Sequence, residues 1–195
     1  NHLTRVLCDD GVPCTDIDYK KLKKTISIAM RMLDNVIDIN FYPTEEAKRS
    51  NLRHRPIGLG SMGWHDIFHT MNIRFDSEEA IQLSDKLYEF ISYHAILGSS
   101  QLAKERGTYD SYEGSLWSQN ILPIDTYNRL MKTRGASGYS IKETYSDGKD
   151  NWTYLRNHIK RFGMRNSNTM AIAPTATISS IVGCSPSIDP YYSVL

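Results

Sequence analysis

The strongest constraint on the fold is a run of apolar residues across positions 18–40. Leu22, Ile26, Ala29, Met30, Leu33, Val36 and Ile37 recur at three- and four-residue steps, which predicts an amphipathic helix with one face turned to a core. Thr15 and Asp16 stand where N-caps belong, because their side-chain oxygens can accept the free N–H groups of a first turn. Lys20, Lys21, Lys23 and Lys24 fall on the other side and read as a solvated face. Asp34 and Asp38 share one side of the helix; carboxylates so spaced are common solvent-side neighbours, and we assign them no chemistry. Pro43 ends the pattern, having no N–H to continue the ladder.

Positions 44–48 read as a short capped helical turn ahead of the basic stretch Arg53-His54-Arg55-Pro56. A second long helix is predicted over 77–106, capped by Asp76 or Ser77 and ended by Gly107. Its inner stripe is Ile81, Ser84, Leu87, Ile91, Ala95, Gly98 and Leu102, and the small residues imply close approach of a neighbour. Positions 107–148 are rich in Gly, Ser, Tyr and Asp, with one short helix at 125–132. That region is expected to be ordered loop or lid, most flexible at Gly135-Ala136-Ser137-Gly138. Helix returns over 151–162, with Trp152, Leu155, Ile159 and Phe162 on one side, and 169–173 reads as a short buried strand.

The 195 residues, 40% hydrophobic and 23% charged, suffice for a substantial core. Lys and Arg number 23 against 22 Asp and Glu, and without a long basic run no nucleic-acid partner is expected. The longest apolar stretches, 170–173 and 178–182, fall far short of the ~20 residues that span a bilayer. No membrane association is expected. The N-terminal residues Asn1-His2-Leu3-Thr4-Arg5 carry no initiator Met and no secretion signal, so the chain reads as cut from something longer and as cytoplasmic. Cys8, Cys14 and Cys184 are odd in number and form no CxxC, which fits a reducing compartment. The sequon Asn151-Trp152-Thr153 is read as chance.

Three local motifs invite a chemical reading. Gly58-Leu59-Gly60-Ser61-Met62-Gly63 spells the glycine pattern of a dinucleotide turn, but no hydrophobic strand precedes it, so a packed turn is the better account. His65-Asp66-Ile67-Phe68-His69 imitates the zinc-protease HExxH with an acid of the wrong length and no third ligand; no metal site is assigned. The third motif runs from Arg165 through Asn166-Ser167-Asn168 and Thr169-Met170-Ala171-Ile172 to Ala173-Pro174-Thr175-Ala176-Thr177-Ile178-Ser179. An apolar strand leads to a proline, after which Thr175, Thr177 and Ser179 can open a helix whose free N–H groups, hydroxyls and dipole favour an anion. An ordinary Thr-capped helix after a strand stays open beside that reading.

This last segment closely resembles the phosphate-binding stretch of ribonucleotide reductase large (alpha) subunits. Leu33-Asp34-Asn35-Val36-Ile37-Asp38, Asn51-Leu52-Arg53-His54-Arg55-Pro56-Ile57-Gly58-Leu59-Gly60 and Phe162-Gly163-Met164-Arg165 resemble the same family, in its order. The pattern is most similar to the class I enzyme, with the cobalamin-dependent class II close behind. The resemblance implies an α/β fold: this chain would be a mostly helical fragment of a ten-stranded α/β barrel, with 1–195 a single segment of the catalytic barrel domain. It also implies a reaction in which a cysteine radical removes the ribose 3′ hydrogen and a cysteine pair reduces the 2′ carbon. Carried over by position, Ala173, Pro174, Thr175, Ala176, Thr177, Ile178 and Ser179 would hold the diphosphate of a nucleoside diphosphate substrate through backbone N–H groups and the Thr177 hydroxyl. Pro174 and Thr175 would shape the turn.

The departures are as informative. The family's radical-cysteine motif, Asn-Leu-Cys-x-Glu, is absent, and Cys8, Cys14 and Cys184 fit no such context. The reducing partner cysteine, the regulatory nucleotide loops, the paired tyrosines and the C-terminal redox cysteines have no counterpart either. No catalytic residue and no cofactor is therefore assigned to this segment, and the barrel would be completed by the remainder of the alpha subunit. The resemblance implies a radical generator outside it, a metal-containing small subunit or, in class II, adenosylcobalamin, together with allosteric nucleotides. The alternative is a stand-alone helical interaction module that keeps the fold without the chemistry.

Overall fold

A computed structural model describes residues 4–6, 15–134, 146–147 and 150–191. Cys8, Cys14 and the Gly135-Ala136-Ser137-Gly138 stretch lie outside the described residues. Seven helices dominate those described, with two separate two-stranded antiparallel sheets. β1 (Thr4–Val6) pairs with β2 (Thr15–Ile17), and the pair leads directly into α1 (Tyr19–Ile39). The cap of α1 is Asp18, whose side chain accepts the Lys21 N–H, rather than Thr15 or Asp16; both of those are taken up by β2, where the Asp16 carboxylate bonds Ile17 N–H. Leu22, Ile26, Met30 and Ile37 are buried as the periodicity requires, whereas Val36 faces outward.

The helical turn expected at 44–48 extends to α2 (Glu45–His54), opened by the Thr44 hydroxyl and closed at Arg55, which takes a left-handed φ of 44°. Pro56 enforces the stop, since a proline disfavours helix in the residue before it. α3 (Trp64–Thr70) follows. Then α4 (Glu78–Arg106), capped by Ser77 and ended by Gly107, runs for 29 residues. α5 (Pro123–Arg134) is longer at both ends than the expected 125–132, with proline at the first helical position, where its missing N–H costs nothing. β3 (Ser146–Asp147) and β4 (Asp150–Asn151) make a short hairpin before α6 (Trp152–Phe162), and Asn151 of the sequon caps that helix through Tyr154 N–H. α7 (Ala176–Val182) is the last element.

Two hydrophobic clusters flank α4. One gathers Leu22, Ile26 and Met30 of α1, Trp64 and Phe68 of α3, and Leu87, Phe90, Ile91 and Ala95 of α4. The other joins Tyr93, Ile96 and Leu97 of α4 to Leu122, Trp152, Leu155, Ile159 and Met164. Between the two clusters α4 has no solvent face: it is buried continuously from Tyr93 to Ser100, with Ser99 and Ser100 hydrogen-bonded there. Gly98 lets α1 approach: a Cβ there would sit 3.3 Å from Met30 Cγ. Ile81, placed on the inner stripe by periodicity, is half exposed, and its neighbour Ala80 takes the core position in the first turn of α4. No helix of the described residues is long and apolar enough to cross a membrane.

The buried strand expected at 169–173 reduces to one parallel bridge, Leu59 to Met170. Around it Ile57 N–H and Leu59 N–H donate to Asn168 O and Thr169 O (3.3 and 2.9 Å), and Ala171 N–H donates back to Leu59 O (3.2 Å). The glycines of the Gly58–Gly63 motif serve this contact. A Cβ on Gly58 would meet Ala171 Cβ at 2.8 Å, and one on Gly60 would meet Ala171 O at 2.9 Å. Gly58→Ala is therefore expected to destabilise the chain by about 1–3 kcal/mol through overpacking, read as a lower urea midpoint; an unchanged midpoint would show that the two segments separate freely.

Candidate functional site: a tethered loop before the last helix

The loop at 173–179 is built from both ends. On its entry side, Asn166 is fully buried. Its side-chain amide donates to Asp34 Oδ1 (3.1 Å) and to Arg55 O (3.2 Å), its Oδ1 accepts from Ser99 Oγ (2.9 Å), and its own N–H donates to that hydroxyl (3.1 Å). Trp117 Nε1 adds a bond to Ser167 O (2.9 Å). Asn166 thus anchors the segment that pairs with 57–59 and delivers the chain to Pro174.

Beneath Asn166 lies a cluster that the spacing argument misjudged. Asp34 is a solvent-side residue in the sequence reading, yet its side chain is 0% exposed. Arg55 reaches Oδ1 through Nε (3.0 Å) and Nη2 (2.8 Å), Arg106 reaches Oδ2 (2.8 Å), and Arg165 Nε stands 3.5 Å from Oδ2. Arg55 also grips Asp38 at 2.7 and 2.8 Å. That contact holds the Asp38 carboxyl below the usual carboxylate range. The signal was present: Asp34 continues the Leu22, Ile26, Met30 register by one more step of four. A carboxylate in a core register needs buried cationic partners, and the paired arginines come from three other places in the chain.

On the exit side, α7 begins at Ala176, and Ser179 N–H is the first to reach back to Thr175 O (2.9 Å). Helix geometry leaves the amides of Ala176, Thr177 and Ile178 without intrahelical acceptors. Ala173, Pro174, Ala176, Thr177 and Ile178 are exposed, Thr175 is half-buried and Ser179 is buried, its hydroxyl donating to Ala176 O (3.1 Å). Thr175 does not cap through its side chain; it takes a left-handed φ of 49°, and its Oγ1 accepts Ser187 N–H at 2.7 Å. A groove of about 520 Å³ beside the loop is lined by Trp64, Phe68, Tyr88, Ile172 and Ile188.

The His65–His69 motif is used structurally. Asp66 Oδ2 accepts Ser185 N–H (2.7 Å) and Oδ1 accepts the Tyr191 hydroxyl (2.6 Å), while His65 Nδ1 accepts Tyr191 N–H (3.0 Å). Burial acts to raise the Asp66 pKa, but the bonds from Tyr191 and Ser185 hold it below the usual range. The same bond pushes Tyr191 up to about 12. No group of three or more His, Cys, Asp or Glu that could hold a metal forms among the described residues. Ser61 of the glycine motif accepts Trp64 Nε1–H (2.7 Å) and bonds the Tyr88 hydroxyl (3.0 Å), so that turn packs against aromatics.

Comparison with known proteins places this architecture. Residues 2–195 match the family model described as "Ribonucleotide reductase, barrel domain". A ribonucleoside-diphosphate reductase subunit alpha of Chlamydia pneumoniae is 54% identical over 179 residues, covering 92% of this chain and 17% of that protein. The subunit alpha of Helicobacter pylori (strain 26695) is 44% identical over 88% of this chain and 21% of its own length. The large chain from Neurospora crassa is 42% identical over 90% of this chain and 17% of its own. The chain thus spans about a fifth of the length of these relatives. With the match running through the ion cluster and the tethered loop alike, the chain belongs to the ribonucleotide reductase family and corresponds to part of its barrel domain.

Proposed function

We propose that this chain is the substrate-phosphate-binding segment of a ribonucleoside-diphosphate reductase, the enzyme that supplies deoxyribonucleotides for DNA synthesis by thiyl-radical reduction of ribonucleotides. The observation that carries the reading is the loop itself: three amides without intrahelical acceptors, at 176–178, lie at an exposed helix start beside the Thr177 hydroxyl. Such a terminus favours negative charge. The residues of this chain would bind and orient the diphosphate of a nucleoside diphosphate. The radical cysteine and the reducing pair would come from the remainder of the alpha subunit, so the isolated segment is expected to be inactive. A metal-containing small subunit, or adenosylcobalamin in a class II relative, would supply the radical, and allosteric nucleotides would bind elsewhere in the alpha subunit.

The parallel pairing of 57–59 with 168–171 supports placing both segments among the strands of a ten-stranded α/β barrel completed by the rest of the subunit. The free thiol of Cys184 is consistent with a reducing, cytoplasmic setting. The test is Thr177→Val in the full-length protein. Losing a hydrogen bond to a charged phosphate is expected to weaken nucleoside diphosphate binding by about 1.5–3 kcal/mol, with the circular dichroism spectrum unchanged; undiminished affinity would remove Thr177 from the site. A second reading, a helical interaction module without chemistry, draws on the outward apolar residues Met32, Val36, Ile39 and Phe41. It predicts no stabilisation of the full-length protein by nucleoside diphosphate.

A further inference from the structure

We infer that Asp66 is a positioning residue for the diphosphate loop, acting through Ser185 and Tyr191 on the segment whose Ser187 N–H holds Thr175. This rests on the reading above that the loop at 173–179 takes phosphate.

Thr175 is a β-branched residue at φ 49°, a conformation such residues adopt only when their surroundings over-determine it. Its restraint is the 2.7 Å bond from Ser187 N–H to Thr175 Oγ1. Ser187 is itself left-handed, at φ 46°, and 2% exposed. The orientation of the three amides that follow Thr175 therefore depends on where the 185–191 segment is held. That segment is gripped near both ends by one carboxylate, which takes Ser185 N–H on one oxygen and the Tyr191 hydroxyl on the other. Gly63 N–H to Ser185 O (2.8 Å) and Tyr191 N–H to His65 Nδ1 complete the clamp. Asp66 is fixed in turn, because its helix α3 is pinned into the core by Trp64 and Phe68 on either side of it. A carboxylate suits the task because both of its oxygens are acceptors; an asparagine offers one acceptor and must turn an N–H₂ toward the other donor.

The experiment compares Asp66→Asn, Tyr191→Phe and the double variant in the full-length protein, by steady-state kinetics and by hydrogen exchange of peptides spanning 174–188. The expected result is a KM for nucleoside diphosphate raised roughly tenfold with kcat retained, faster exchange in 174–188, and a double variant no worse than Asp66→Asn alone. Tyr191→Phe, altered at an exposed hydroxyl, tests the same bond should Asp66→Asn fail to fold. An unchanged KM, or a fall in kcat at constant KM, overturns the inference. If Thr177→Val is silent the phosphate reading fails; if Thr177→Val weakens binding while exchange across 174–188 is unmoved by Asp66→Asn, the tether alone fails.

Discussion

Asp34→Ala is expected to destabilise the chain by about 3–5 kcal/mol, the range for breaking a buried ion pair from one side. The carboxylate is fully buried and accepts from Arg55, Arg106 and Asn166, with Arg165 close by. Removing it strands the Arg55 guanidinium, whose side chain is only 5% exposed, with Asp38 as its remaining carboxylate. It also deprives Asn166 of one of two acceptors for its amide. Asp34→Asn keeps the shape and one acceptor oxygen but not the charge, and should cost less than the alanine. Urea unfolding followed through Trp64, Trp117 and Trp152 measures both. A loss under about 1 kcal/mol for the alanine, the size of an exposed pair, would mean that the arginines are solvated in solution.

The second large effect lies in the other cluster. Leu155→Ala should cost about 2–5 kcal/mol, the lost transfer energy plus the cavity left behind. Leu155 is 0% exposed and sits with Tyr93, Ile96, Leu122, Ile159 and Met164, each also at 0%. Surroundings this enclosed relax little, because Tyr93 is braced edge-on against Trp152 at 5.5 Å between ring centroids. Leu155→Met, nearly isosteric, should stay below about 1.5 kcal/mol. Equal losses for the two would show that the site is not closely packed. Asp34 and Leu155 share no bonded partner, so the double variant should be additive to within about 0.5 kcal/mol.

Much of this molecule was legible from spacing alone. The periodicities at 18–40, 77–106 and 151–162 predicted α1, α4 and α6 to within a residue or two, because an apolar stripe at 3.6-residue period is a local property. The small residues on α4 foretold the close approach realised at Gly98 and Met30. The glycines at 58 and 60 read correctly as packing residues. What failed were assignments whose answer depended on distant partners. Asp34 reads as a solvent-side residue because the arginines that claim it stand at 55, 106 and 165, whereas Asp38, with a 45% exposed side chain, does lie on the solvent side. For Asp66 no metal role is assigned, and its partners at 185 and 191 are too far along the chain for spacing to reveal them.

The sequence by itself thus determined α1, α4 and α6, the caps at Thr44 and Ser77, and the family, since each is written in residues close together or in motifs kept in order. Only the tertiary structure decided that the Thr175 hydroxyl is held by Ser187 rather than capping α7, that a strand-like run at 169–173 makes a single bridge, and that Asp34 is an internal counter-ion. The physical reason is common to all three. A hydroxyl, an amide or a carboxylate takes whichever partner the fold brings within about 3 Å, and that choice is made by contacts between segments far apart in the chain.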